Sequence, residues 1–165
     1  MEDYFNKPII IALALIVYGI AFIYIERAHK NVEPKINDFK ELDFMTAIKI
    51  GLFQCLALVP GTSRSGSTIL GGLLVGTSRS IATEFSFFMG IPIMFGASGL
   101  KLLKFGFHYS LAEFVILLVG SVVSFVVSLF VIKFLLKYIK HHDFQAFGWY
   151  RIVLGIIVLG SLFFK

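Results

Sequence analysis

The sequence predicts an all-α fold: a polytopic helical membrane protein with a re-entrant hairpin of two half-helices. Three observations carry that expectation. The chain is 58% hydrophobic, with a mean hydropathy of +0.88. Only 15% of its residues are charged, against about 25% in soluble domains. Its uncharged runs have lengths that fit a bilayer, and one of them carries a lone arginine at its centre.

At 165 residues, the chain is expected to form one membrane domain, residues 1–165. The first span is placed at residues 8–25, because Pro8–Ile25 is eighteen residues without a charge, about the minimum to cross a bilayer. No small-residue cleavage site follows, so a secretory signal peptide is not expected. Glu26–Asp43 carries both signs of charge and reads as an interfacial loop or short surface helix. Further spans are placed at about 81–103, 111–136 and 147–164. The first of these contains Gly90, Pro92, Gly96 and Gly99, which predict a kink. In the second, Gly120, Ser124 and Ser128 recur every four residues, a small-residue face suited to close helix packing. The last is expected to hold Arg151 near the interface. Phe114–Ile132 is nineteen uncharged residues, too long for a strand and right for a membrane helix.

The hairpin is placed at about 47–77. Ile50–Ser78 has one charge, Arg64, with fourteen uncharged residues on either side. A straight helix would put Pro60, Gly61 and Gly66 in its interior, where Pro costs roughly 3 kcal/mol and Gly about 1. Two half-helices joined by a polar turn at Pro60–Gly66 avoid that cost. Ten helical residues cover ~15 Å, half the hydrocarbon core.

The pentapeptide Gly-Thr-Ser-Arg-Ser occurs twice, at Gly61–Ser65 and Gly76–Ser80. The second copy is expected at the membrane surface. There Gly76 ends one helix, Thr77 or Ser78 caps the next, and Arg79 anchors at headgroup level. Loss of Arg79 is therefore expected to be mild. The first copy is expected at the deep tip, where an arginine is costly and marks function by default.

The formal net charge of +5 is assigned to membrane topology, with no nucleic-acid partner. With Glu26–Asp43 inside, Arg27, Lys30, Lys35, Lys40, Lys49, Arg79, Lys133, Lys137, Lys140 and Arg151 fall inside, and Lys7, Lys101, Lys104 and Lys165 outside. The positive-inside rule favours that arrangement, which turns both termini outward.

At the tip, Thr62, Ser63, Ser65, Ser67 and Thr68 supply hydroxyl groups and Arg64 a planar fork for phosphate oxygens. Gly66 allows close approach, and the helix beginning there turns its free N–H groups toward an anion. No carboxylate lies between Asp43 and Glu84. The expected ligand is a phosphate or diphosphate whose tail stays in lipid. Two soluble phosphate motifs do not fit. Gly61–Thr68 resembles a nucleotide-binding loop, but Ser67 stands where the lysine is needed and no strand precedes it. Cys55, the one cysteine, lies nine residues from Arg64 and reads as packing; no intrachain disulfide can form. His29, His141 and His142 read as solvated connector residues, and His108 as interfacial. Glu84 reads as a helix N-terminal charge or an acid reaching the site. Tyr138, Trp149 and Tyr150 read as interfacial belt residues.

The stretch Gln54–Ile69, QCLALVPGTSRSGSTI, closely resembles a signature of the undecaprenyl-diphosphatase family, the bacitracin-resistance proteins. Glu84–Ser98, EFSFFMGIPIMFGAS, is similar to the span that follows it there. The resemblance implies a multi-pass enzyme of the bacterial plasma membrane, with two inverted repeats that each carry a re-entrant hairpin. Its reaction would hydrolyse undecaprenyl diphosphate to undecaprenyl phosphate and inorganic phosphate. That recycles the lipid carrier of peptidoglycan synthesis, serves cell-wall biogenesis and cell shape, and confers bacitracin resistance. It implies Arg64 and Ser65 as catalytic residues. Thr62, Ser63, Arg64, Ser65, Gly66, Ser67 and Thr68 would bind the substrate phosphate. It also implies a divalent cation, Mg²⁺ or Ca²⁺. The family's paired glutamates, spaced four apart, and its Ser-rich turn ending in His are not found in this sequence. Metal ligands and the histidine are therefore expected in an N-terminal repeat outside this chain, with no metal ligand within it. The chain by itself is expected to be inactive, and to self-associate or pair with that repeat. The alternative function is a lipid-phosphate flippase or transporter with an anion site at a broken helix.

Overall fold

A computed structural model describes residues 8–30, 32–106, 110–139 and 142–163. Lys7, His108, Lys140, His141 and Lys165 lie outside the described residues. The described chain is helical and has no strand, only an isolated bridge between Ile36 and Thr77. Six α-helices follow one another: α1 (Pro8–Ala28), α2 (Phe44–Gln54), α3 (Arg64–Leu74), α4 (Arg79–Phe105), α5 (Leu111–Ile139) and α6 (Gln145–Phe163). Among them α1, α4, α5 and α6 are long and apolar enough to cross a membrane, so the chain is a polytopic helical membrane protein.

Local chemistry sets the helix starts. The Asp43 carboxylate accepts from Thr46 N at 2.9 Å and caps α2. Ser63 caps α3 and Ser78 caps α4, each hydroxyl accepting an amide three residues on. A short 3-10 turn, Cys55–Leu58, ends α2, and Gly61 then turns the chain at φ +90. Pro92 sits inside α4, which runs unbroken from Arg79 to Phe105.

Packing follows from small residues on α1 and α6, which run antiparallel. A Cβ on Gly19 would fall 2.6 Å from Ile152 Cγ1 and 2.7 Å from the Gly148 carbonyl oxygen. One on Gly155 would fall 2.9 Å from the Ala12 carbonyl oxygen. Ala12 and Gly19 are seven residues apart on α1, and Gly148 and Gly155 seven apart on α6. The two backbones therefore meet over two helical turns, which is how membrane helices gain contact without a hydrophobic driving force. At one end of this pair Phe22, Ile69, Leu70, Leu73, Ala82, Ile139 and Phe144 form the core. From Leu111 to Val131, α5 is exposed, and only its last turns meet the core. Nothing lies within 4 Å of a Cβ built on Gly120. The Gly120–Ser124–Ser128 face, expected to pack closely, packs on nothing within the described chain.

The polar connector is tied down rather than free. Lys35 N and Ile36 N donate to the Gly76 carbonyl at 2.9 and 3.2 Å, and Ser78 N donates to the Ile36 carbonyl at 2.9 Å.

Gly148→Val is expected to wedge α1 from α6 and cost about 1–3 kcal/mol. Gly120→Val, on the open face of α5, is expected to cost under ~0.5 kcal/mol. Thermal unfolding of both variants in one detergent checks the contrast, and equal shifts would refute the close α1–α6 approach.

Candidate functional site

The turn between α2 and α3 packs against the side of α1. A Cβ on Gly61 would meet the Ile11 carbonyl oxygen at 2.7 Å and Ala14 Cβ at 3.0 Å. Gly61 therefore needs both its positive φ and its missing side chain. The hydroxyls then divide into two groups. Ser63 Oγ accepts from Gly66 N at 3.1 Å and lies 3.3 Å from Ser65 Oγ. These residues, with Gly66, line a cavity of about 230 Å³. Ser67 and Thr68 are buried and spent inside the protein. Ser67 Oγ donates to the Ser63 carbonyl at 3.1 Å, and Thr68 Oγ1 meets Ser86 Oγ of α4 at 2.6 Å. Sequence reasoning put both on the phosphate; the structure uses both to fix α3 at the turn.

The Arg64 guanidinium lies over Gly90 of α4. A Cβ there would fall 2.6 Å from Arg64 Nη2 and 2.9 Å from Nη1. Arg64 Nη1 is buried without a partner, as are Thr62 Oγ1 and Gln54 Oε1. Each buried unpaired polar group costs about 1–3 kcal/mol; Arg64 Nη1 and the Thr62 hydroxyl, two positions apart at the turn, are donors that an anion would satisfy, whereas Gln54 Oε1 is an acceptor that it would not. The amides of Arg64 and Ser65 open α3, where helix geometry gives them no partner.

Apart from Thr83, Ser86 and Arg151, the cavity's other walls are apolar and aromatic. Phe22, Phe87, Leu135, Ile139, Phe144, Phe147 and Tyr150 enclose it. Tyr150, read as an interfacial belt residue, belongs to this wall. No carboxylate, imidazole or thiol is among the lining residues. Glu84 is not there either: it accepts from Ser80 Oγ at 3.2 Å, one turn back on α4. Cys55 is exposed at the end of α2. His29 and His142 each bond a carbonyl one turn back and stay away from the turn.

Two residues that sequence reasoning set aside prove important. Arg151 was expected near the interface. Its Nη2 donates to the Gly61 carbonyl at 2.8 Å, its Nε is buried without a partner, and it lines the cavity. Glu26 was read into the polar connector. It is buried in the last turn of α1 and holds Arg79, with Nη2 at 2.7 Å and Nε at 3.0 Å from Oε2. Glu26 Oε1 also accepts from Phe144 N at 3.1 Å. Arg79 is thus half of a partly buried ion pair and not merely an anchor. The available signal was an arginine inside an apolar helix, the rule applied to Arg64 but not to Arg151.

The two pentapeptides fold alike. Gly61 and Gly76 have φ of +90 and +94, Ser63 and Ser78 cap the helices, and Arg64 and Arg79 are their first residues. They differ in charge: Arg79 with Glu26 is the one ion pair among the described residues. Arg64 and Arg151 pair with no acid among the described residues.

The model of the family described as bacitracin resistance protein BacA matches residues 1–157. Over 97% of its length the chain is 60% identical to undecaprenyl-diphosphatase 1 of Clostridioides difficile, covering 57% of that protein. It is 53% identical over its whole length to an undecaprenyl-diphosphatase of Enterococcus faecalis, covering 61%. It is 55% identical over 96% of its length to one of Acetivibrio thermocellus, covering 58%. The chain belongs to the BacA family, and it spans less than two thirds of the length of these relatives.

Arg79→Ala is expected to destabilise the protein by on the order of 3 kcal/mol, because it leaves a buried carboxylate with one amide donor. The mild effect expected from the sequence ignored that carboxylate. The double variant Glu26→Leu/Arg79→Met should recover part of the loss, since an apolar pair can replace a buried ion pair but leaves the Phe144 amide without its acceptor. Denaturant unfolding of both in detergent checks this.

Proposed function

We propose that this BacA-family chain binds the diphosphate of a polyprenyl lipid at the amino end of α3. It would do so as part of the machinery that hydrolyses undecaprenyl diphosphate to undecaprenyl phosphate and inorganic phosphate. The observation that carries the reading is Arg64, a cation without an acidic partner at a turn whose buried polar atoms lack partners. The relatives' names supply the substrate: they are undecaprenyl-diphosphatases. The aromatic cavity beside Ser63 and Ser65 supports a polyprenyl tail near the head group. In this reading the turn is a re-entrant tip that meets its substrate at depth, in a bacterial plasma membrane.

Each residue has a role that its surroundings support. The Arg64 fork binds phosphate oxygens and offsets charge as the P–O bond breaks. The α3 amides and dipole add to that field. The Ser63 and Ser65 hydroxyls orient the head group. Ser65 is the hydroxyl best placed to touch the reacting phosphate, since Ser63 is bound up in the cap. Thr62, with its buried unpartnered Oγ1, stands beside the same turn. Thr68 and Ser67 act indirectly, by fixing α3.

Family resemblance brings with it Mg²⁺ or Ca²⁺. The described residues do not fit one: no three His, Cys, Asp or Glu side chains come together. No step is therefore derived through a metal. This chain's contribution is binding, orientation and positive charge. Assayed by itself it is expected to bind diphosphate and release little phosphate.

The decisive measurement is phosphate release from undecaprenyl diphosphate in Mg²⁺ or Ca²⁺. It is made with the chain alone and with the part of a longer relative that this chain does not cover. Release is expected only from the mixture, and Arg64→Lys should cut it at least ~100-fold, because lysine keeps the charge but loses the fork. Gly90→Ala should cut it about tenfold by displacing the guanidinium that rests there. Lipid movement between leaflets with no phosphate release would overturn the hydrolase reading in favour of a carrier. Unchanged release in Arg64→Lys would remove Arg64 from the site.

A further inference from the structure

We propose that Arg151 is a second phosphate-binding arginine of this site, and that Arg64 and Arg151 together select a diphosphate over a monophosphate. The inference rests on the reading of the turn as a phosphate site and adds to it a residue from the far end of the chain. Arg151 stands on α6, ninety residues from Gly61. It comes to the turn because the glycines of α6 let that helix press against α1.

A purely structural role does not account for its chemistry. Holding one carbonyl takes one N–H donor, and a neutral side chain could supply it. Arg151 gives Nη2 to the Gly61 carbonyl and keeps a buried Nε with no partner. Among the described residues it pairs with no carboxylate. Besides the Gly61 carbonyl, the Tyr18 ring compensates its charge, with its centroid 5.8 Å from the guanidinium carbon. A half-buried arginine on an apolar helix, with no counter-ion among the described residues, is a costly feature that a ligand would explain. The ligand's place is defined by neighbours: Arg151 lines the same cavity as Ser63 and Ser65.

Two arginines reach the turn from different elements. Arg64 lies against α4 at Gly90, and Arg151 comes from α6 onto Gly61. A diphosphate carries two phosphoryl groups and more negative charge than either alone. One guanidinium for each matches that anion, whereas a monophosphate brings fewer oxygens and less negative charge to the pair. Site affinity should therefore fall once the diphosphate is cleaved.

The test is equilibrium binding of inorganic diphosphate and of inorganic phosphate to the purified chain in detergent, read by calorimetry. The parent chain should bind diphosphate at least ~10-fold more tightly than phosphate. Arg151→Lys should weaken diphosphate binding about tenfold or more and change phosphate binding less than about threefold. Arg64→Lys should weaken both. Arg151→Met should behave as Arg151→Lys or worse. Arg151→Lys keeps a cation within reach of the Gly61 carbonyl, so it decides the matter if the Met variant does not fold. Unchanged diphosphate binding in Arg151→Lys, with loss in Arg64→Lys, overturns the second arginine and leaves the turn as the site. A parent chain that binds neither anion, or an Arg64→Lys variant that binds both normally, overturns the phosphate reading and this proposal with it.

Discussion

The Glu26 carboxylate is the point on which the arrangement depends. It is buried at the end of α1, takes two N–H groups from Arg79 at the start of α4, and takes the amide of Phe144 just before α6. One side chain thus joins three segments that are distant in sequence. The antiparallel glycine contact between α1 and α6 continues from that junction along both helices. Together they fix how far along α1 the helix α6 sits, and hence where Arg151 falls. Arg151 reaches Gly61 only because α6 is held in this register.

The same junction explains why a repeated phrase does different work in its two places. Both pentapeptides are helix starters: a glycine with positive φ, a capping serine, then an arginine at the first helical position. That position suits neither arginine electrostatically, because the amino end of a helix carries partial positive charge. Each copy therefore needs negative charge from outside its own segment. At Arg79 the need is met by Glu26. At Arg64 no side chain of the described residues meets it. The turn geometry is common to both; among the described residues it is the counter-ion that separates them.

The helical membrane class was legible because it depends on composition and run length, properties that each segment holds by itself. The residue types at the turn were legible for a similar reason: Pro60, Gly61 and Arg64 are each costly inside an apolar helix. What could not be read were partners. Glu26 and Arg79 are 53 positions apart, and nothing near Glu26 in sequence marks it as buried. Ser86 as the partner of Thr68, and Gly61 as that of Arg151, were hidden for the same reason. The small residues misled in one place and were overlooked in another. Gly120, Ser124 and Ser128 are regularly spaced yet face open space, while Ala12 and Gly19 meet Gly155 and Gly148 across two helices. Spacing within a helix reports that it could pack closely, and only a matching face elsewhere decides whether it does.

The division of the hydroxyls carries the argument to its last step. A turn with five hydroxyl groups invites the reading that all of them touch the ligand. Burial separates them instead. Ser67 and Thr68, on the inner face of α3, are bonded to the Ser63 carbonyl and to Ser86. Ser63 and Ser65 remain on the cavity side. The inner pair makes the helix start rigid, and rigidity is what lets donors at its end act without reorganising when charge develops. Arg64 gains from the same support. Its guanidinium lies against the α4 backbone where Gly90 leaves room for no side chain. Ser86, which holds Thr68, lies four residues before Gly90 on the same helix. Thus α4 positions both the base of the turn and its cation, and the placement of Arg64 and the packing of α3 on α4 are properties of one contact surface.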